Sequence, residues 1–361
     1  MIKILHITPD FNYSCGRSKL AFMYLKHFST AKNFQIHFIT NGGDSLERLK
    51  EIPNLKFKIF NFSTGYKNIF YQKSFYKNLK SYLIKNNIGL IHTHHRFPEN
   101  ISVRIQKELN VKTITSAHSF VIGFEQSSFK SDKIISVSNS IANHLLKNFD
   151  VKKEKIITIY NPVKNSIRTD LMVGDKFRTE NNIPSNKKIL LFVGRINRDK
   201  GIDVLLKSFS IVRKKIENLF VIVNGQIDDK KLFQQANDQS IIYLPPRNDI
   251  SNLYAIADLI VLPSRNDPFP YVMLEAGQFK KPFIGGNTGG IAEFIEDGKN
   301  GLLVDPENPE QLKDKIIYLL NNPEVGQKLG ENLYHKVKQL CDYNSYFSQV
   351  EKIYNELNEA E

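Results

Sequence analysis

Short apolar runs rich in β-branched residues recur along the chain, and longer amphipathic stretches separate several of them. In the first half the runs are IKILHIT (2–8), FQIHFIT (34–40), LKFKIF (55–60), IGLIHTH (88–94), KTITSAH (112–118), KIISVS (133–138) and KIITIY (155–160). Stretches such as 17–31 and 139–148 carry the helical spacing. Strands alternating with helices predict a parallel sheet with crossover connections. A polar, turn-rich stretch over 160–188 breaks the pattern and reads as a linker. The alternation then restarts, with strands expected at 188–194, 219–225, 240–246, 257–264, 282–286 and 301–305. Helices are expected at 201–216, 228–236, 249–256, 271–279, 289–296 and 309–320.

The pattern predicts an α/β protein of two Rossmann-like, doubly wound domains, 1–165 and 166–340, followed by a C-terminal helix, 341–361. A chain of 361 residues is long enough for two cores. The tail is helical from about 323 and has no strand left to feed, so it packs on its own domain or returns to the first. A ligand is expected at the carboxyl ends of the strands, in an interdomain cleft.

Charge changes the picture more than composition does. Residues 1–160 hold 24 Lys and Arg against 10 Asp and Glu, a balance of +14, whereas 161–361 hold 26 against 27, or −1. The first half is therefore expected to face something anionic. The stretch 66–85 has five lysines, six aromatics and no acid. A helix there with Phe70, Lys73 and Lys77 at its surface suits an anionic leaflet; a core-facing helix with a solvated basic side would account for much of the stretch, and the +14 balance favours the membrane surface as a partner of the first domain. Cys15 and Cys341 form no disulfide or metal spacing, which fits a reducing cytosol. MIKILHIT runs straight into Pro9 and Asp10, so it reads as a buried strand rather than a signal peptide. No apolar run approaches the ~20 residues of a spanning helix. A cytoplasmic protein is expected, at most peripheral at the inner membrane face.

The candidate chemistry gathers after the second-half strands. Gly194, Arg195 and Lys200 precede a glycine-opened helix, two cations and a helix N-terminus suited to a diphosphate. A solvated basic loop would look the same. In SRNDPFPYVMLEA, Asp267 sits in the loop after a strand and Glu275 lies one turn into the next helix. Carboxylates there can accept hydrogen bonds from vicinal sugar hydroxyls or stabilise an oxocarbenium-like transition state. A helix N-terminal acid favoured by the dipole explains Glu275 as well. Gly289 and Gly290 open a further helix, where backbone amides can approach a ligand closely.

The order GRINRDKG, then DPFPYVMLEA, then TGGIAEFIEDGKNGLLV resembles the retaining glycosyltransferases of family four, with their two-domain GT-B fold. The match is most specific over about 190–306 and fainter through the first half. The resemblance implies that Arg195 and Lys200 neutralise a nucleotide-sugar diphosphate, that Asp267 contacts the donor sugar, and that Glu275 holds the ribose. It places Phe269 and Pro270 where backbone amides meet sugar hydroxyls, and PPRND (245–249), with Arg247, along the base. It places His118 near the reacting centre and Gly16 in a loop over the phosphates. It implies no cofactor and no metal, and the chain has no Asp-x-Asp pair. The donor is expected to be a UDP- or GDP-linked hexose, and the acceptor a saccharide or lipid-linked saccharide of surface polysaccharide or lipopolysaccharide. Asp267 stands where the family commonly has glutamate, Pro268 and Pro270 where it has glycines, and Cys15 where a glycine is usual.

Other readings are weaker. His118 at a strand end suits a structural role too. His92, His94 and His95 invite a metal, but His92 and His94 share a strand face that His95 does not, so no metal site is expected. A nucleotide-sugar epimerase keeps the fold and changes the reaction. A nucleic-acid-binding protein fits the basic, aromatic first half but leaves the second-half acids and glycines unexplained. No G-x-G-x-x-G follows the first strand of either half, which disfavours a dinucleotide dehydrogenase.

Overall fold

The computed structural model describes residues 1–62, 68–164, 177–181, 183–234, 238–247 and 249–359, with the side chains of 68–70 outside the described set. Two compact units emerge: Met1–Asn161 with Asn344–Glu361, and Pro162–Tyr343. The expected boundary at 165/166, much of the linker, the Phe70 side chain and the end of the 228–236 helix lie outside the described residues.

The first unit is built on a seven-stranded parallel sheet ordered β3-β2-β1-β4-β5-β6-β7. Its strands are β1 (Ile2–Thr8), β2 (Phe34–Thr40), β3 (Lys56–Ile59), β4 (Leu90–Thr93), β5 (Lys112–Ala117), β6 (Lys133–Ser136) and β7 (Ile156–Thr158). The central strands are buried on both faces, which is why they read as continuous Ile, Leu and Thr runs rather than alternating ones. Helices α1 (Gly16–Phe28), α2 (Asn68–Asn86), α3 (Arg96–Gln106) and α4 (Asn139–Asn148) form the crossovers. In α2 the core face carries Phe75, Leu79, Tyr82 and Leu83, while Lys73 and Lys77 stay exposed. Two of the aromatics that suited a membrane thus serve the core. Edge strand β3 is exposed throughout, with Phe57 and Ile59 alternating with Lys56 and Lys58.

The second unit repeats the plan in six parallel strands ordered β10-β9-β8-β11-β12-β13. These are β8 (Lys188–Val193), β9 (Leu219–Asn224), β10 (Ile241–Leu244), β11 (Leu259–Leu262), β12 (Phe283–Gly286) and β13 (Leu302–Val304). Its helices are α5 (Ile202–Val212), α6 (Lys230–Gln234), α7 (Ile250–Ile256), α8 (Tyr271–Gln278), α9 (Gly289–Phe294), α10 (Pro309–Asn321) and α11 (Pro323–Leu340). In each sheet the strand order reverses once, between β1 and β4 and between β8 and β11. At such a reversal the loops leave in opposite directions and open a crevice beyond the strand ends.

The last helix, α12 (Tyr343–Glu359), belongs largely to the first unit. Its buried stripe, Tyr346, Phe347, Val350, Ile353, Tyr354 and Leu357, follows the helical period. The stripe is also anchored by polar contacts. Tyr346 and Tyr24 share a hydroxyl–hydroxyl hydrogen bond of 2.7 Å, and the Tyr354 hydroxyl lies 2.6 Å from Nδ1 of His92.

Candidate active site

In the second unit the reversal between β8 and β11 is flanked by the loops that carry the sequence motifs. Gly194 leaves β8 at φ +159, and Gly201, at φ +71, starts α5. A side chain at Gly201 would place Cβ 2.0 Å from the Pro263 carbonyl, so glycine lets the two loops touch. They are also stitched together. The Arg265 and Asn266 amides donate to the Asp199 carbonyl at 2.8 and 3.3 Å. The Arg265 guanidinium donates to the Arg198 carbonyl, to both oxygens of Asp203 and to both of Glu307. Hydrogen bonds to Glu307 and Asp203 raise its pKa, so it is a permanent cation holding the loops in register.

Lys200 and Asp267 meet in this frame. The ammonium donates to Oδ2 of Asp267 at 2.5 Å, and Ser264 Oγ donates to the same oxygen at 3.4 Å. Asp267 is 2% exposed. A buried carboxylate requires such a partner, and a lysine on a flexible stem is one that an incoming anion can take. Arg195, in the same loop as Lys200, is half exposed and lies 3.3 Å from Asp228. Glu275 is buried on α8, where Oε2 accepts from the Tyr254 hydroxyl at 2.6 Å. Burial first, and the Glu275 charge second, push the Tyr254 pKa well up, so the hydroxyl remains a donor.

The remaining predicted residues fall into different roles. Arg247 forms a two-pronged pair with Asp249, both contacts at 2.5 Å, and lies over the Phe177 ring. Phe269 is 2% exposed and packs edge-on against Phe294, so its side chain is core. Pro270 is the N-cap of α8 and has no N–H, leaving Phe269 as the residue of that pair with an amide. The Gly290 amide donates to the Asp267 carbonyl at 2.9 Å, which corrects its expected role as a ligand donor. A Cβ there would sit 2.0 Å from the Pro268 carbonyl, so Gly290 shapes the Asp267 loop instead. Gly289, at φ +49, opens α9. The structure thus joins Lys200 to Asp267 directly, and places Arg195 and Glu275 each on its own partner. Tyr254 and Arg265 were missed; Arg265 stands inside SRNDPFP and its charge was a visible signal.

In the first unit, Gly16 is the first residue of α1 rather than part of an open loop. The adjacent Arg17 donates to Asp10 at 2.5 Å, beyond the end of β1. His118 is half-buried just past β5, and its Nε2 lies 3.3 Å from Nδ1 of His94. Nε2 of His94 lies 3.2 Å from Nδ1 of His6. His92 uses Nδ1 on Tyr354 and Nε2 on Ser116 at 2.8 Å. His6, His92 and His94 bring one nitrogen each within 4.8 Å of one another. His6 Nδ1 and both nitrogens of His92 and of His94 already contact protein groups, so the cluster reads as a hydrogen-bonded array, with His6 Nε2 left outside it. His95 lies apart and caps α3, accepting from the Phe97 amide at 3.2 Å. Burial lowers all of these imidazoles: His6, His95 and His118 to about 3, and His92 and His94 well below the ordinary value.

Residues 174–336 match the family model described as glycosyl transferases group 1, and residues 22–166 match the model for glycosyltransferase family 4. The chain is 29% identical over 352 residues to an uncharacterized glycosyltransferase, MJ1178, of Methanocaldococcus jannaschii, covering 91% of this chain and 92% of that one. It is 24% identical over 352 residues to the N-acetyl-alpha-D-glucosaminyl L-malate synthase of Bacillus anthracis, covering 90% and 89%. Among solved structures, Anabaena HepE in complex with UDP and glucose superposes with a TM-score of 0.86 at 17% identity, over 99% of this chain and all of that one. That likeness shows the fold, two Rossmann-like domains of the GT-B type.

Proposed function

The chain belongs to the family-four glycosyltransferases, and from that premise we propose that it moves a hexose from a nucleotide diphosphate donor, UDP- or GDP-linked, to a saccharide or lipid-linked saccharide. The transfer retains the anomeric configuration, needs no metal ion, and serves the assembly of cell-surface polysaccharide or lipopolysaccharide. The observation that carries this reading is the Lys200–Asp267 contact of 2.5 Å at the strand-order reversal, in the loop that also bears Arg195.

In the free protein Lys200 and Asp267 neutralise each other. A donor diphosphate draws the ammonium away, and Arg195 adds a second cation to the charge that develops as the nucleotide leaves. Asp267, released, accepts hydrogen bonds from sugar hydroxyls. Glu275, already oriented by Tyr254, accepts from the ribose. His118 positions the sugar or the acceptor hydroxyl. The uridine option draws support from HepE, which was solved with UDP and glucose. Among the described residues no helix is long and apolar enough to cross a membrane. The +14 balance of residues 1–160 supports electrostatic attachment of the first unit to an anionic leaflet.

Incubation with UDP- and GDP-hexoses and short lipid-linked saccharides, with chelator present, tests the reading. Transfer with the donor's anomeric configuration retained supports it. Inverted product, or turnover restored only by a divalent ion, refutes those parts of it. Conversion of the donor to a new nucleotide sugar without acceptor would instead mark an epimerase.

A further inference from the structure

The imidazoles of His118, His94 and His6 form a continuous chain of N···N contacts, of which the transferase reading uses only the outer member. Sheet order explains the chain. His6 lies on β1, His94 just past β4 and His118 just past β5, and these strands are adjacent in the order β1-β4-β5. Neighbouring rings lie nearly parallel, with centroids 5.5 Å apart in both pairs. Around the inner end pack Tyr24, His92 and Tyr354.

Burial keeps these rings neutral near pH 7, so each carries one N–H and one bare nitrogen. Every N···N contact needs one of each. A chain of neutral imidazoles therefore has only two arrangements, with all its protons directed inward or all directed outward. The inner end decides between them. His6 Nε2 is buried and has no hydrogen-bond partner among the described residues. The inward arrangement leaves an unpaired N–H there, and the outward one leaves only an unpaired lone pair. Orphaned buried N–H groups are the rarer defect in folded proteins. In the outward arrangement His6 Nδ1–H donates to His94 Nε2, and His94 Nδ1–H donates to His118 Nε2.

We infer that His94 and His6 are positioning residues that hold His118 as its Nδ1–H tautomer, with Nε2 occupied as an acceptor. His118 then meets its substrate as a hydrogen-bond donor and does not take a proton from the attacking hydroxyl. This rests on the assignment of His118 under the proposed function, whereas the tautomer itself does not. Free histidine favours the Nε2–H form, so the inference opposes the default.

Long-range proton–nitrogen correlation spectra of the full chain labelled with 15N-histidine read each tautomer directly. Signals are assigned by their loss in His118→Gln, His94→Phe and His6→Phe. The expected result is protonation at Nδ1 in all three rings of the wild type, with His118 reverting to Nε2–H in His94→Phe. That variant is expected to lose kcat about tenfold, the rate equivalent of one hydrogen bond, with donor KM unchanged. An Nε2–H His118 in the wild type overturns the inference even if His94→Phe and His6→Phe fail to fold, because His118→Gln alone assigns its signal. Unchanged turnover in His118→Gln removes instead the role given to His118 under the proposed function, and leaves the tautomer to the spectrum.

Discussion

Lys200→Met keeps the aliphatic stem of the side chain and removes its charge. Asp267, whose side chain is 3% exposed, is then left, among the described residues, with Ser264 Oγ at 3.4 Å as its remaining side-chain donor. Removing one partner of a fully buried pair costs about 3–5 kcal/mol, because the survivor is an uncompensated charge. The Lys200 side chain is 18% exposed, so water reaches part of the vacated space and the expected loss falls to about 2–3 kcal/mol. Asp267→Asn should cost less, about 1 kcal/mol, since the freed ammonium can turn toward solvent. The double variant removes both charges and should be no worse than Lys200→Met alone. The two losses should therefore fail to add, with a coupling of about 1–2 kcal/mol. Urea unfolding of the four proteins of this cycle measures it. Additivity within about 0.5 kcal/mol would show that the two groups do not hold each other, and the resting state described for the site would be wrong.

Other outcomes follow from the same structure. Tyr254→Phe removes the 2.6 Å hydrogen bond to the buried Glu275 carboxylate and should cost about 1–3 kcal/mol in thermal or urea unfolding, with weaker nucleotide binding. Deleting 344–361 uncovers Tyr24 and His92, and should yield a chain that binds a hydrophobic dye and aggregates. His6 is buried and neutral with a pKa of about 3, against about 6.5 unfolded, so the unfolded chain binds the extra proton between those values. Its contribution is complete above pH 6.5 and is lost as pH falls toward 3, amounting to about 2 kcal/mol at pH 5. Urea midpoints from pH 8 to pH 5 should fall in the wild type and fall less in His6→Phe. Co-sedimentation with anionic vesicles should be strong at low salt and vanish near 0.5 M salt, whereas binding to neutral vesicles at any salt would contradict electrostatic attachment.

Much of this was legible in the sequence because parallel strands buried on both faces announce themselves as apolar runs. The loops after β8 and β11 were legible because glycine, proline and charge are concentrated there. Contacts set by strand register were less visible. His6 stands 86 residues from its neighbour His92, yet β1 and β4 align Ile4 with Leu90, Leu5 with Ile91 and His6 with His92. The shared apolar–apolar–His pattern of ILHIT and LIHTH held that signal. Tyr254 gave no comparable sign, because helix packing rather than strand register brings its hydroxyl to Glu275. The aromatics of 66–85 left two readings open for a related reason. Composition cannot tell a membrane-facing ring from a core-facing one, and Phe75 and Tyr82 face the core.

The central claim is that the loops after β8 and β11 bind a nucleotide sugar through Arg195, Lys200, Asp267 and Glu275. Calorimetric titration of UDP-glucose and GDP-mannose into the wild type and Arg195→Ala tests it most directly. Arg195 is half exposed with one ion pair at 3.3 Å, so its loss should leave the fold intact. The account predicts saturable binding of one of these donors by the wild type, weakened at least tenfold in the folded variant. Equal affinity in both proteins, or no binding of any nucleotide sugar by the wild type, would contradict it.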